Sequence, residues 1–224
     1  MHRASLVASA VSVALGSASF GLYVGCKYGD KLEVVAEGLL RRNAAAKLPT
    51  AVSEDGLMTK AVEIAGASGK LAVLSTMSKD EGVSMRVIQP LPLAIDISSS
   101  SKSPRIFFHT NSQSRKASEL NASSSNSSAS NCTLLYLDAK TLSYSCFQGT
   151  AHKLGAAEHR KHWQSHLRAF YPDGPDGKSF VVYELIPSRV EVVSITENLV
   201  SRHDSWKPPT LIKNPDGSGW RRTD

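Results

Sequence analysis

The stretch RIFFHTNSQSRKASEL, residues 105–120, decides the fold because it joins a predicted strand to a predicted helix through a short polar turn. Its first five residues favour a strand, and Ser114 belongs to the residue class that caps helix N-termini. Arg115 and Lys116 then fall in the first helical turn, where the helix dipole disfavours cations. A bound phosphate would explain this placement, since backbone amides, both cations and the hydroxyls of Thr110 and Ser114 would all bind it. A strand, a turn and a helix with two solvated bases fits the local pattern equally well.

Short strands paired as hairpins flank this stretch on both sides. They are predicted at 70–77 and 83–89 around the turn 79–82, at 132–137 and 142–151, and at 179–186 and 189–194 on either side of Pro187. Helices are predicted near 58–65, at 114–120 and over 156–170. Because the strands do not alternate regularly with long helices, the pattern disfavours a doubly wound parallel sheet. It indicates a mainly β fold with peripheral helices, built as an antiparallel barrel.

The composition is that of a globular protein. The chain has 224 residues, of which 41% are hydrophobic and 21% charged, which excludes wholesale disorder and a polytopic membrane protein. The formal net charge is +6, but the basic residues are scattered and form no stripe interleaved with aromatic residues, so no nucleic-acid partner is expected. The three cysteines, Cys26, Cys132 and Cys146, have no CxxC spacing, which indicates a reducing compartment and no zinc site.

Composition also divides the chain into four parts. Residues 1–30 form an apolar N-terminal anchor or targeting segment, and residues 31–56 contain a short amphipathic helix and a linker. Residues 57–212 form the globular domain. An irregular tail is predicted over residues 213–224.

An uncharged run of 22 residues, 4–25, leaves the role of the N-terminal segment open among three alternatives. Its length suits a membrane anchor, and the basic residues after it would place the domain on the cytosolic side. Its Ser and Ala content, with no acidic residue before Asp30, is also typical of a transit peptide to a plastid or mitochondrion. A secretory signal is the third alternative, since glycosylation sequons occur at Asn121, Asn126 and Asn131.

The segment FFHTNSQSRKASEL resembles the phosphate-binding segment of the pyridoxamine 5′-phosphate oxidase-like flavin proteins, which are FMN-binding split barrels. The nearest groups are general stress protein 26 and its fungal blue-light-inducible relatives. Further motifs follow in the order that the family shows, namely the hairpin 70–87 with its arginine at Arg86, then 148–151, 162–176, 190–193 and 206–209. The resemblance extends from about Leu57 to Leu211.

This resemblance implies an antiparallel six-stranded FMN-binding split β-barrel that forms a homodimer, with FMN in a cleft between the subunits. The residues implied to line the isoalloxazine and ribityl chain are Arg86, Val87, Ile88 and Gln89. Those implied at the flavin edge or phosphate are His109 and Thr110, and those implied to hold the phosphate are Ser114, Arg115 and Lys116.

The implied function is that of a flavin-dependent oxidoreductase of unknown substrate. The alternatives are a non-enzymatic flavin-binding stress-response protein, a true pyridoxamine 5′-phosphate oxidase, and a split barrel that has lost flavin and binds haem. No catalytic residue is assigned, and His109 is the nearest titratable candidate. Retention of Arg115 and Lys116 argues against the loss of flavin.

Two departures from the family pattern weigh against vitamin B6 synthesis. True pyridoxamine phosphate oxidases carry a lysine that holds substrate phosphate where this chain has Leu91. Their Arg-x-His-Asp-Arg signature is only partly echoed by the residues 202–205, RHDS.

Three histidines lie at helical spacing in the predicted helix 156–170. His159, His162 and His166 would share one helix face, and two of them could bind a metal. No carboxylate or cysteine cluster completes such a site, so a solvated or interface face is expected and no metal.

Overall fold

The computed structural model describes residues 52–78, 82–95, 103–122, 129–197, 199–200 and 207–223. Outside these residues lie the predicted segment 1–30 and nearly all of the predicted helix and linker 31–56. The structure does not test the predictions for these two segments. Within the described ranges, no helix is both long enough and apolar enough to cross a membrane.

Nine strands, all paired antiparallel, form the body of the described protein. Six are long, and these are β1 (Ala72–Ser78), β2 (Gly82–Ile88), β4 (Pro104–Asn111), β5 (Ala129–Asp138), β6 (Ser143–Lys153) and β7 (Phe180–Val193). Three are short, namely β3 (Ala94–Ile95), β8 (Thr210–Lys213) and β9 (Trp220–Arg222). The mainly β class with peripheral helices is confirmed, and the six long strands carry the predicted split barrel.

The strand order along the sheet is β2-β1-β5-β6-β7-β4-β3, with β8 on β7 and β9 on β8. Strand β7 is the longest, and its two halves have different partners. Its first half, from Phe180, pairs with β4, whereas Arg189–Glu191 pairs with β8. Both halves pair with β6, so β7 joins the two parts of the barrel and fixes the position of β4.

The sequence predicts that Pro187 splits β7 into two strands, but β7 continues through it with a bulge against β6. The register between β6 and β7 shifts between Gln148 and Gly149, and Gly149 lies opposite Pro187. A Cβ atom on Gly149 would lie 2.1 Å from the carbonyl oxygen of Ile186, so only glycine fits there. The bulge bends the strand where proline can donate no hydrogen bond, and the strand continues.

Helix α1 (Glu54–Ala67) covers the main apolar core. The hydroxyl of Ser53 accepts a hydrogen bond from the Gly56 amide at 3.2 Å and so caps the helix. Its buried face includes Leu57, Ala61 and Ile64, at helical spacing, and packs against strands β5, β6 and β7. Burial of this face stabilises the helix, as the apolar spacing predicts.

A second apolar cluster lies on the other face of β4, under the segment predicted as one helix over 156–170. That prediction is wrong: α3 (Ala156–Lys161) ends early, and a separate 3₁₀ helix runs over Ser165–Ala169. The amides of His162 and Trp163 turn back to carbonyls three residues earlier, which ends the α-helix. This turn lets Trp163 pack edge-on against Phe180 with the ring centroids 5.0 Å apart.

The segment 213–224, predicted as an irregular tail, contains one short strand that the sequence does not predict. Strand β9 pairs with β8 as a hairpin, in which Lys213 lies opposite Trp220. Gly217 and Gly219 have φ values of 75° and 140°, which permit the turn between the strands. The Pro and Gly content indicates this tight turn.

Candidate functional site

The end of β4 and the start of α2 (Arg115–Ala122) form the predicted strand, turn and helix. The Ser114 hydroxyl accepts a hydrogen bond from the Ala117 amide at 3.3 Å, so Ser114 is the predicted N-cap. It also lies 2.9 Å from the buried hydroxyl of Thr110. The two hydroxyls implied at the phosphate are therefore in direct contact at the helix N-terminus.

A buried carboxylate, Glu119 of α2, ties this helix to the hairpin β1–β2. Its side chain accepts hydrogen bonds from Arg86 Nη2 at 2.6 Å and from Thr76 Oγ1 at 2.5 Å. Its second oxygen lies 3.3 Å from Arg115 Nε. Burial alone would raise the pKa of Glu119, but hydrogen bonds from Thr76, Arg86 and Ser84 outweigh it and hold that pKa below its usual range. Glu119 is therefore ionised at neutral pH.

The surroundings of Glu119 nevertheless hold more positive than negative charge. Arg86, Arg115 and Lys116 are three cations around one carboxylate, a formal net charge of +2. Burial, and then the charge of Arg86, lowers the pKa of Lys116. Among the described residues, Arg86 Nε and Nη1 are buried and meet no hydrogen-bond acceptor. We call Arg86, Arg115, Lys116 and Glu119 the cation cluster. Glu119 neutralises only part of its positive charge.

His109 points to the opposite face of β4, into aromatic surroundings. Its Nδ1 is hydrogen bonded to the Tyr171 hydroxyl at 3.1 Å, and its ring lies 5.8 Å from that of Phe180. Burial, and then the positive charges of Lys116 and His166, lower the pKa of His109 to about 4. The imidazole is therefore neutral at neutral pH and can share a hydrogen bond, but it holds no proton to donate as an imidazolium.

Four consecutive residues, 86–89, are implied to line the flavin. They lie on β2 or directly after it, and their side chains point to two opposite faces. Arg86 and Ile88 point inward, with Arg86 on Glu119. Val87 and Gln89 point outward, and Val87 is 65% exposed. Alternation along a strand causes this division, so one protomer does not bring all four side chains to one surface.

The cation cluster fits the phosphate of FMN. A phosphate monoester carries close to two negative charges at neutral pH, which matches the excess of positive charge there. The buried nitrogens of Arg86 would gain acceptors, and α2 directs its N-terminus towards the same turn. The side chains of Val87 and Gln89 point outward and are not part of this cluster.

Glu119 and Tyr171 contact the predicted site residues Arg86 and His109, and the sequence patterns assign neither of them. Glu119 follows Arg115 by four residues, a spacing typical of a helical ion pair, so the sequence indicates this contact. Tyr171 lies 62 residues from His109, and no local pattern predicts their contact.

The three histidines do not share a helix face, because α3 ends before His166. His159 is buried and its Nε2 lies 3.1 Å from the Leu154 carbonyl, while His162 stacks on Phe107. Among the described residues, no group of three or more His, Cys, Asp and Glu side chains is placed to hold a metal ion. Burial raises the pKa of Cys132 and of Cys146 to about 12, so both thiols are protonated at neutral pH.

Comparison with known proteins agrees with this fold. A family model described as pyridoxamine 5′-phosphate oxidase like matches residues 59–201. A protein related to pyridoxamine 5′-phosphate oxidase and described as FMN binding, from Nostoc punctiforme, is 14% identical with a TM-score of 0.51 over 78% of this chain and 100% of that chain. A protein related to general stress protein 26, from Clostridium acetobutylicum, is 15% identical with a TM-score of 0.50 over 68% and 98%. No curated protein matches the chain.

Proposed function

The chain belongs to the pyridoxamine 5′-phosphate oxidase-like family, and on this premise we propose that it binds FMN at the cation cluster. Arg115 and Lys116 hold the phosphate, together with the hydroxyls of Thr110 and Ser114. Arg86 contributes the edge of its guanidinium that Glu119 leaves without a partner. The observation that carries this proposal is the partly buried net positive charge at the N-terminus of α2, where one carboxylate faces three cations.

The protein side of the site binds and orients the flavin. Arginine binds phosphate through paired hydrogen bonds. Glu119 fixes the orientation of Arg86 in the absence of ligand. Bound FMN supplies hydride chemistry at its ring, and the chain proposed here is a flavin-dependent oxidoreductase of unknown substrate. His109 and Tyr171, both neutral, form a hydrogen-bonded pair on the face of β4 opposite the cation cluster.

A non-enzymatic flavin-binding protein is the second candidate. Leu91 favours it, because true pyridoxamine phosphate oxidases carry a lysine for the substrate phosphate at this position. The hydrogen-bonded pair of His109 and Tyr171 is uncharged at neutral pH, because burial lowers the pKa of the histidine and raises that of the tyrosine. Flavin reduction by NAD(P)H with turnover of an added acceptor would separate an oxidoreductase from a flavin carrier.

A homodimer is the proposed assembly, and an exposed apolar surface supports it. The outer face, defined as Met77, Val83, Met85, Val87 and Leu137, consists of side chains that are each about half exposed or more. They lie on β2, β1 and β5 at the end of the sheet, and monomeric proteins rarely leave such a contiguous patch in water. A second copy of the chain would cover it.

The absorption spectrum of the purified full chain tests flavin binding. Flavin bands near 370 and 450 nm, with release of FMN on denaturation, are expected. The double variant Arg115→Glu with Lys116→Glu should lose the bands, because it places two carboxylates where the phosphate would lie. Lys70→Glu with Lys140→Glu is the matched control at exposed positions and should keep them. Retention of FMN by the first variant would overturn the proposal.

A further inference from the structure

Lys116 is a half-buried lysine whose ammonium group forms no ion pair within the described residues. Burial, and then the charge of Arg86, lowers its pKa. Lys60 has the opposite environment, since ion pairs with Glu197 and Glu63 raise its pKa. A lowered pKa leaves a larger share of the Lys116 amine neutral at a given pH, and the neutral amine is the form that acts as a nucleophile.

The surroundings of Lys116 also favour a phosphate group. Arg115 precedes it in the first turn of α2, and the Nε and Nη1 atoms of Arg86 are buried with no acceptor among the described residues. The hydroxyls of Thr110 and Ser114 lie 2.9 Å apart at the same turn. A phosphate bound by these groups would carry the rest of its molecule next to a nucleophilic amine.

An anion site beside a nucleophile suits one class of reagent, the acyl phosphates, in which an activated carbonyl group is bonded directly to phosphate. The phosphate of such a molecule is both the group that the cation cluster would bind and the leaving group. Binding holds the carbonyl carbon near the amine and makes the reaction effectively unimolecular. A phosphate monoester such as FMN has no activated carbonyl group, so it binds without reacting.

We propose that Lys116 is a site of acylation by acyl phosphates, with the cation cluster holding the phosphate group during the transfer. The neutral Nζ attacks the carbonyl carbon and forms the C–N bond of an amide. The bond from that carbon to the phosphate oxygen breaks, and its electron pair leaves with the phosphate, which takes the proton that the nitrogen loses. Nothing is oxidised or reduced. The modification rests on the proposed phosphate site, and it should weaken FMN binding because the amide removes one cation of the cluster.

Mass spectrometry of the full chain, freed of flavin and treated with acetyl phosphate, tests this site, with the exposed Lys70 as the reference lysine. The matched reagent is N-acetoxysuccinimide, which transfers the same acetyl group but carries no phosphate. The ratio of acetylated Lys116 to acetylated Lys70 should be at least about tenfold higher with acetyl phosphate, because only this reagent is held by the cation cluster. Equal ratios with the two reagents would overturn the proposal.

One variant locates the bound phosphate and a second controls for it. Arg115→Gln should lower the acetyl phosphate ratio several-fold and leave the N-acetoxysuccinimide ratio nearly unchanged, because it removes a phosphate contact and not the amine. Arg160→Gln removes an exposed arginine that pairs with Asp176 and should change neither ratio. An acetyl phosphate ratio that stays high in Arg115→Gln would contradict the role of the cation cluster.

FMN binding separates the failure of this proposal from the failure of flavin binding. Saturating FMN should protect Lys116 and leave Lys70 reactive. By calorimetry, Lys116→Gln, which resembles the acylated side chain, should bind FMN about tenfold more weakly, and Lys116→Arg should bind it nearly as well as the wild type. Tight FMN binding together with equal reagent ratios would overturn the acylation site alone. Absence of FMN binding, with Lys116 still preferred by acetyl phosphate and protected by inorganic phosphate, would overturn flavin binding and support the acylation site.

Discussion

Strand β4 separates the cation cluster on one face from an aromatic region on the other. The aromatic region consists of His109, Tyr171, Phe180 and the neighbouring rings of the second apolar cluster. Thr110 points to the first, where a buried carboxylate and three cations leave net positive charge. Its neighbour His109 points to the second, where burial keeps the imidazole neutral. Alternation along one strand thus places Thr110 beside net positive charge and His109 among aromatic rings. Charge, rather than polarity alone, distinguishes the two regions.

Removing Arg86 should have the largest effect, because it breaks the cation cluster at its buried ion pair. Arg86→Ala leaves Glu119 buried without its closest cation, which should lower the free energy of unfolding by about 4 kcal/mol. Urea unfolding followed by circular dichroism measures this change. Arg160→Ala breaks the exposed pair with Asp176 and should cost about 0.5 kcal/mol or less. Similar losses in the two variants would contradict the distinction between buried and exposed pairs.

On the aromatic face, the corresponding anchor is Phe180, which is 1% exposed and contacts the rings of His109, Trp163 and Tyr171. Phe180→Ala should lower the free energy of unfolding by about 3 kcal/mol, since it leaves a cavity in the second apolar cluster. NMR titration should also show the pKa of His109 rising from about 4 towards its ordinary 6.5, because water would reach the ring. A destabilised variant with an unchanged His109 pKa would mean that the aromatic burial does not control this histidine.

Local sequence signals predict the strand, turn and helix around Arg115 and Lys116 well and the aromatic region poorly. The strand, the N-cap Ser114 and the helix from Arg115 all follow from adjacent residues. By contrast, the contact of His109 with Tyr171 depends on how distant segments pack, and so does the early end of α3. The bulge at Gly149 that carries β7 through Pro187 is a pairing property of two strands, which one strand's sequence does not reveal.

The neutral state of His109 predicts a specific pH dependence. The folded pKa of about 4 lies below the ordinary 6.5, so between these values the unfolded chain binds a proton that the folded chain does not. The stability that neutral His109 contributes is therefore present above pH 6.5 and is lost as the pH falls through 4. The positive charges of Lys116 and His166 oppose protonation of the ring, while Tyr171 and Phe180 enclose it.

His109→Gln should remove this part of the pH dependence. The slope of unfolding free energy against pH between 6.5 and 4 should fall by up to one proton relative to the wild type. The difference between the two proteins is the relevant quantity, because buried carboxylates such as Glu119 also titrate in acid. Equal slopes of unfolding free energy against pH for the two proteins would mean that the pKa of His109 is not lowered and that its ring is solvated.

A change on the outer face should have the smallest effect on the fold and still alter assembly. Met85→Asp introduces a charge at a side chain that is 47% exposed, so the stability of the monomer should change by less than about 0.5 kcal/mol. Sedimentation should nevertheless shift from dimer to monomer, because the carboxylate would be buried between copies. Lys140→Asp, in the turn after β5, is the control. A dimer that persists in Met85→Asp would exclude this face as the interface.

The ratio of FMN to riboflavin affinity tests most directly whether the cation cluster binds the phosphate of FMN. The two ligands share the ring and the ribityl chain and differ only in the phosphate. Calorimetry on the wild type should give FMN binding at least about a hundredfold tighter than riboflavin binding, since two charge-assisted arginine contacts are worth a few kcal/mol. In Arg115→Glu with Lys116→Glu the two affinities should become equal. Equal affinities in the wild type, or an unchanged ratio in the variant, would contradict the account.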